Sequence, residues 1–317
     1  MDFGKLNDPR SLDPSRLKLP LDDPRNSELL ARRRQVGRGA SPVRVRVGCP
    51  VWSCKEWLGT VYAPGTAAKD YLSQYSRQFS NIELNSTHYG IPSVDTVSQW
   101  KRSVSSDFRF SPKFPQIISH DRRLRNSAEI AQRFCEAMSL LGENLGTSFL
   151  QLPPDFSMAE LPWLGAFLRE LPRGYSTAVE FRHSSFFVGG RLHPAPWRVL
   201  AEAGASALIT DVAGRRDVLH SSLASEKVLL RFVGNELHAT DFQRIDEWAE
   251  RLRSWLDLGL KEADLFIHQP DNVLSPQLVT YVVDRLNSVC GAGRSSWTPV
   301  RNWTPYEAPL ERQLSFF

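Results

Sequence analysis

Four ionisable side chains carry the first chemical argument: Glu83, Lys113, Glu180 and Arg182, each at or just beyond the end of a short apolar run. A carboxylate beside a lysine or arginine stays ionised and can serve as base or nucleophile, whereas one set in an apolar wall can keep its proton as an acid. Glu180 is therefore read as general base or nucleophile and Glu83 as its acid or orienting partner, with Lys113 and Arg182 holding an anion. Gln151, Asp211, Arg231 and His268 end further runs and join the same constellation. Charges in an apolar interior are costly unless paired, so these residues must compensate one another. The competing reading of the network is purely structural, a set of ion pairs plugging one end of the fold.

A metal reading uses His88, Glu180, His183, Asp211 and His268, nitrogen and oxygen donors suited to zinc or manganese. No HxH or HExxH spacing supports it. The sequence also lacks GxGxxG, a Walker motif and a GxSxG elbow, so no nucleotide cofactor or familiar serine hydrolase is expected. No cofactor is the expectation, with a divalent metal as the alternative.

The elements that must position these groups follow from period-two patterning. In NIELNSTHYG, Ile82 and Leu84 alternate with Glu83 and Asn85, so the polar pair shares one face of a strand. Similar stretches occur at Val43–Gly48, Phe108–Lys113, Thr147–Leu152, Thr177–His183, Ala207–Asp211, Val228–Phe232 and Leu265–His268. Amphipathic helices alternate with them. Thr240 with Gln243 forms a capping box ahead of the stripe Phe242, Ile245, Trp248, Leu252 and Trp255; Asn126 with Glu129 opens another helix, and Ser275–Pro276 the last. Eight β/α units predict an α/β fold, a TIM-like (β/α)8 barrel with its active site at the carboxyl ends of the strands. Residues 1–42 read as a flexible, basic, proline-rich leader, 43–290 as the barrel domain, and 291–317 as an extended Trp/Pro-rich tail.

Composition bounds the function. The 317 residues are 41% hydrophobic, enough for a full core, and no apolar run is long enough to cross a bilayer. A cytoplasmic protein without membrane attachment is expected, and its four cysteines fit a reducing compartment. Of the net charge of +4, the leader contributes +3, with nine basic and six acidic residues. The body is nearly neutral, which argues against tight nucleic-acid binding by that body alone.

Several blocks together resemble the YecE-like family, also called domain of unknown function 72. They are GCPVWS with Trp57 and Gly59, NIELNSTHYGIP, FRFSPKFP with Ile118, Ser119 and His120, FLQLPPDF, and VEFRHSSF, spanning about Val43 to Asn287. The resemblance implies a TIM-like barrel whose mouth carries Trp52, Glu83, Asn85, Thr87, Tyr89, Lys113, His120, Gln151, Glu180, Arg182 and His183. It implies no established reaction. LRFVGN on strand seven, IHQPDN on strand eight and Phe186 after the EFRH block depart from the family's common form, so the last two strands contribute least firmly.

The final residues, QLSFF, resemble the peptide by which bacterial replication and repair proteins dock on the DNA sliding clamp. Gln313 would bond at the rim while Leu314, Phe316 and Phe317 enter apolar pockets; the alternative is that the phenylalanines pack on the chain's own surface. The leading expectation is an enzyme cleaving a C–O or P–O bond in a small polar anion, such as a sugar phosphate or a nucleic-acid end. The alternatives are a metal-dependent phosphodiesterase resembling endonuclease IV, by fold-level analogy, and a non-enzymatic clamp-associated protein.

Overall fold

The computed structural model describes residues 13–36, 43–295 and 297–306. All eight expected strands form, each within three residues of its expected start: β1 (Arg44–Gly48), β2 (Asn81–Leu84), β3 (Arg109–Pro112), β4 (Ser148–Gln151), β5 (Thr177–Glu180), β8 (Ser206–Asp211), β9 (Lys227–Val233) and β10 (Glu262–His268). A short antiparallel hairpin, β6 (Phe187–Val188) and β7 (Arg191–Leu192), was not expected from the sequence. Its two-residue strands are too brief for any alternation to be read.

Six strands form one parallel sheet in the order β1-β10-β9-β8-β5-β4, and β2 pairs in parallel with β3. Two isolated parallel bridges, Phe110 to Leu145 and Lys113 to Phe149, tie β3 to the β4 segment. Between β1 and β2 the contact is a single hydrogen bond, Glu83 N–H to Cys49 O at 3.4 Å. Gly48 permits that approach, since a Cβ there would lie 2.1 Å from Asn81 O. Among the described residues the ladders do not run continuously round a ring. What they establish is an α/β fold with a central parallel sheet.

Eight helices accompany the strands: α1 (Pro24–Val36), α2 (Tyr71–Gln78), α3 (Val94–Arg102), α4 (Ala128–Ser139), α5 (Leu161–Glu170), α6 (Pro194–Ala203), α7 (Ala239–Leu258) and α8 (Ser275–Gly291). Their apolar stripes cover one sheet face; on α7, Ile245, Trp248, Leu252 and Trp255 are all buried. The cap of α7 differs from the expected Thr240–Gln243 box. His238 is the N-cap, its Nδ1 accepting from Thr240 N–H at 3.3 Å. Asn126 likewise does not cap α4; it adopts a positive φ of 50°, and Ser127 precedes the helix. All four cysteines are free and buried.

The other sheet face is layered. A small apolar cluster of Phe149, Ala178, Leu208, Leu229 and Phe266 sits midway along it. Towards the amino ends lies a polar cluster in which Arg46 pairs with Glu262 at 2.6 Å and Asp264 at 3.2 Å. Towards the carboxyl ends lies the cluster containing Glu83 and Glu180.

The leader is not a loose arm over its described part. Asp23, Asn26 and Leu30 are buried. Asn26 Nδ2–H donates to Ser221 O at 2.7 Å, and its Oδ1 accepts from Leu223 N–H at 2.8 Å. The Trp255 indole N–H donates to Asp22 at 2.9 Å, and the Arg25 guanidinium lies 5.1 Å over the Trp197 ring. Docking by hydrogen bonds rather than an apolar stripe is why the segment reads as solvated from its sequence. Residues 297–306 have no regular secondary structure, yet they are tied down. Trp297 and Val300 bond Asn287, Trp303 bonds Pro276 O, and Tyr306 N–H bonds Thr60 O at 2.6 Å. Gln313–Phe317 lies outside the described residues. No helix among the described residues is long and apolar enough to cross a membrane.

Candidate functional site

Strand parity builds the site. On β5, Val179 and Phe181 pack among the helices, so Glu180 and Arg182 take the opposite face. The register places Gln151 beside Glu180, and Thr210 beside Arg231. Arg231 is the hub. Its Nε and Nη2 donate to the two oxygens of Glu83, both at 2.9 Å, and its Nη1 donates to Glu180 Oε2 at 2.8 Å. Arg182 Nε donates to Glu180 Oε1 at 2.7 Å. His268 Nε2 lies 2.8 Å from Glu83 Oε2, and Asn85 Nδ2–H donates to Glu83 Oε1 at 2.8 Å. These residues come from β2, β5, β9 and β10 and their following loops, so chain segments far apart in sequence meet here.

Burial grades the cluster by depth. Arg231 is 0% exposed and Glu83 and Glu180 are 1% exposed, whereas Arg182 and Lys113 keep 5% and 7%. The carboxylates form a sealed floor; the lysine and Arg182 are the charged groups nearest to solvent. His88, half-buried His120 and exposed Tyr89 rise above them, with the His88 ring 5.3 Å from that of His120 and 5.6 Å from that of Tyr89.

The electrostatics follow from this packing. Burial alone would raise the Glu180 carboxyl, but Arg182 and Arg231 outweigh it and hold the group at about 2. Glu83 is likewise pushed below the ordinary carboxylate range, because Arg231 and His268 overcome its desolvation. Burial and then Arg231 push the Lys113 amine down to about 8, with Glu180 pulling the other way. Burial, reinforced by Lys113, brings His88 down to about 4 and lowers His120. Burial lowers His268 despite its bond to Glu83.

Glu83 cannot serve as the acid expected from the sequence. A proton there would compete with a bidentate guanidinium, and its oxygens already accept four hydrogen bonds from Arg231, His268 and Asn85. Of the two roles read for it from the sequence, these bonds favour the orienting one. With the imidazoles neutral, three cations (Lys113, Arg182 and Arg231) face two carboxylates. Among the described residues, buried Gln151 Oε1 and Thr210 Oγ1 also find no partner.

Other expected residues divide. Thr87 Oγ1 lies 3.0 Å from Leu84 O and 2.7 Å from Lys113 O, so its hydroxyl supports the two strand ends. Trp52 packs edge-on against Trp100, 5.9 Å between ring centroids, and its carbonyl accepts from Tyr62. His183 does not join the network. It shares the parity of Phe181 and caps the next turn, its Nδ1 accepting from Ser185 N–H at 3.2 Å. Asp211 is misplaced in the sequence reading for the same reason: it shares the parity of Ala207 and Ile209 and points towards α7. There it is fully buried, bonded by Arg216, by Arg244 at 2.9 Å and by the Trp248 indole N–H at 2.7 Å. Thr210 takes its place on the site's face, and the alternation in SALITD carried that signal. With Asp211 and His183 turned away, the donor set expected for a metal is not assembled; among the described residues no group of three or more His, Cys, Asp or Glu side chains converges.

A family model described as "Protein of unknown function DUF72" matches residues 46–299. The chain belongs to this family. The UPF0759 protein YecE of Escherichia coli (strain K12) is 32% identical over 253 residues, covering 74% of this chain and 90% of that protein. The UPF0759 protein YunF of Bacillus subtilis (strain 168) is 26% identical over 139 residues, covering 40% of this chain and 48% of that protein. Crystal structures of DUF72 family proteins share the fold. One from Enterococcus faecalis aligns with a TM-score of 0.61 at 18% identity, covering 79% of this chain and 97% of that chain. Another from Thermotoga maritima aligns with a TM-score of 0.59 at 23% identity, covering 77% and 98%. The blocks that bear the DUF72 resemblance also carry Glu83, Lys113, Gln151, Glu180 and Arg182.

Proposed function

We propose that this DUF72 chain is an enzyme on a TIM-like barrel that binds a small polar anion at the carboxyl ends of its strands and cleaves a C–O or P–O bond in it. The observation that carries the reading is the surplus of positive charge: Lys113, Arg182 and Arg231 against Glu83 and Glu180. An anionic group placed between Lys113 and Arg182 would balance the cluster without moving it, because the guanidiniums are already oriented by carboxylates. The unpartnered Gln151 Oε1 and Thr210 Oγ1 offer polar contacts for hydroxyl groups of the same ligand. Sugar phosphates fit this chemistry. Neutral His88 is the candidate base, and Glu83 and Glu180 fix Arg231.

Thermal unfolding in inorganic phosphate tests the binding step, with chloride at equal ionic strength as the control. A ligand that binds only the folded state stabilises by about 2.7 kcal/mol at a hundred times its Kd. Phosphate should raise the midpoint of the wild-type chain and not that of Arg182→Met. No phosphate-specific rise in the wild type would remove the reading. Docking of Gln313–Phe317 on a sliding clamp is a separate proposal, supported by the QLSFF pattern alone. Equal clamp recovery by the full chain and by a chain lacking those five residues would remove it.

A further inference from the structure

Most charged groups of the cluster are consumed by one another, and Lys113 is the exception. Its main chain is pinned on both sides: its N–H bonds Leu84 O at 3.1 Å, and its carbonyl accepts from Thr87 at 2.7 Å. The side chain is buried but keeps the largest exposure of the four charged residues first singled out. Among the described residues its Nζ makes no hydrogen bond and no ion pair. A buried ammonium without a counterion is unfavourable, so the site holds an amine that is readily neutral.

We infer that Lys113 is the reacting group, a Schiff-base amine for a phosphate-bearing aldehyde or ketone. This deepens the proposed function and rests on it for the anionic part of the substrate. The neutral Nζ adds to the carbonyl carbon while the C=O π pair moves to oxygen, which takes up the proton lost by nitrogen. The carbinolamine then loses its hydroxyl with the remaining N–H proton as water, leaving C=N. Once that imine is protonated, the neutral imidazole of His88, whose Nδ1 is engaged by Phe114 O, can remove a proton from the adjacent carbon. The resulting enamine expels an oxygen leaving group one carbon further on, which breaks a C–O bond, and the departing oxygen takes up the proton just removed. Water then hydrolyses the imine and returns Lys113. Arg182 holds the phosphate throughout.

The groups that face the amine set its readiness. Arg231 on β9 and Arg182 beyond β5 disfavour its charge, Glu180 and Glu83 favour it, and His88 and His120 are neutral above it. An amine held at about 8 is about a quarter neutral at pH 7.5, against about one part in a thousand for an ordinary lysine.

Reductive trapping on the full chain tests this directly. Pyridoxal 5′-phosphate and, separately, propionaldehyde are each added with cyanoborohydride, and modified lysines are mapped by peptide mass. Lys113 should be modified about tenfold or more faster than exposed Lys55, Lys69 and Lys101 at pH 7.5, with a rate that rises to half its maximum near pH 8. If phosphate protects Lys113 from pyridoxal phosphate, both the amine and the anion assignments stand. If Lys113 leads equally with both aldehydes and phosphate gives no protection, the amine assignment stands and the anion reading fails. If Lys113 is no faster than the exposed lysines with either aldehyde, the inference is overturned, even where phosphate raises the unfolding midpoint.

Discussion

Replacing Arg231 with Met should strip Glu83 of its guanidinium partner and leave Glu180 with Arg182 alone. The guanidinium makes hydrogen bonds of 2.8–2.9 Å to both Glu83 and Glu180 and is 0% exposed. Removing one partner of a buried ion pair costs about 3–5 kcal/mol, because the other charge is left without compensation. The pH dependence separates this from simple loss of packing. In the wild type Glu180 is held at about 2 instead of 4.5, which is worth about 3 kcal/mol at neutral pH. That contribution is complete above about 4.5 and fades only as pH falls through about 2. In Arg231→Met the Glu83 carboxyl keeps only His268 and Asn85 against its desolvation and rises, while Glu180 keeps Arg182. The penalty is then largest at pH 7 and shrinks as acid neutralises Glu83. Urea unfolding of both chains at pH 7 and pH 5 measures this. The expected difference is about 3–5 kcal/mol at pH 7 and clearly smaller at pH 5. A loss below about 1 kcal/mol at pH 7, or one equal at both pH values, would show that the guanidinium does not neutralise this pair.

Lys113→Met should stabilise the chain at pH 7 by up to about 3 kcal/mol, since the amine's folded value of about 8 lies below its ordinary 10.5 and its burial penalty persists until pH rises through that window. Calorimetry at pH 7 and above pH 10 checks it; a lower midpoint at pH 7 would contradict the absence of a counterion. Asp211→Asn should cost about 1.5–3 kcal/mol by removing the charge that Arg244 and Arg216 bond, Arg244 keeping Asp241. It should leave any phosphate-specific stabilisation intact, and loss of that response would return Asp211 to the site. Asn26→Ala should cost about 1–3 kcal/mol, because Ser221 O and Leu223 N–H lose their partner. Limited proteolysis should then cut within residues 13–36 at lower protease concentrations than in the wild type, and an unchanged digestion pattern would mean the leader is held by other contacts.

The sequence disclosed every long strand because each carries alternating side chains over four residues or more, and the charged ends of those strands did converge. Its errors share one physical origin. Asp211 enters the site by its position at a strand end and His183 by the family blocks, whereas which face a residue takes depends on parity along the strand. Counting from Ile209 or Phe181 would have excluded both. Arg231 reads as one strand end among several, and nothing in LRFVGN reveals that it bridges two carboxylates contributed by β2 and β5. The cluster around Arg46, Glu262 and Asp264 escaped notice because it lies at the amino ends, where no function was sought. The docked leader was missed because its contacts are polar and individually placed, which leaves no hydrophobic period to detect.

The course of residues 297–306 bears on how the molecule is made. Asn287 in α8 anchors this segment, which then bonds Gln78 and Phe79 at the end of α2 and reaches Thr60. It laces the last helix to the first β/α unit across more than two hundred positions of chain. That stitch cannot be drawn until its residues have cleared the ribosome, so the early β/α unit must wait, incompletely covered, while more than two hundred further residues are made.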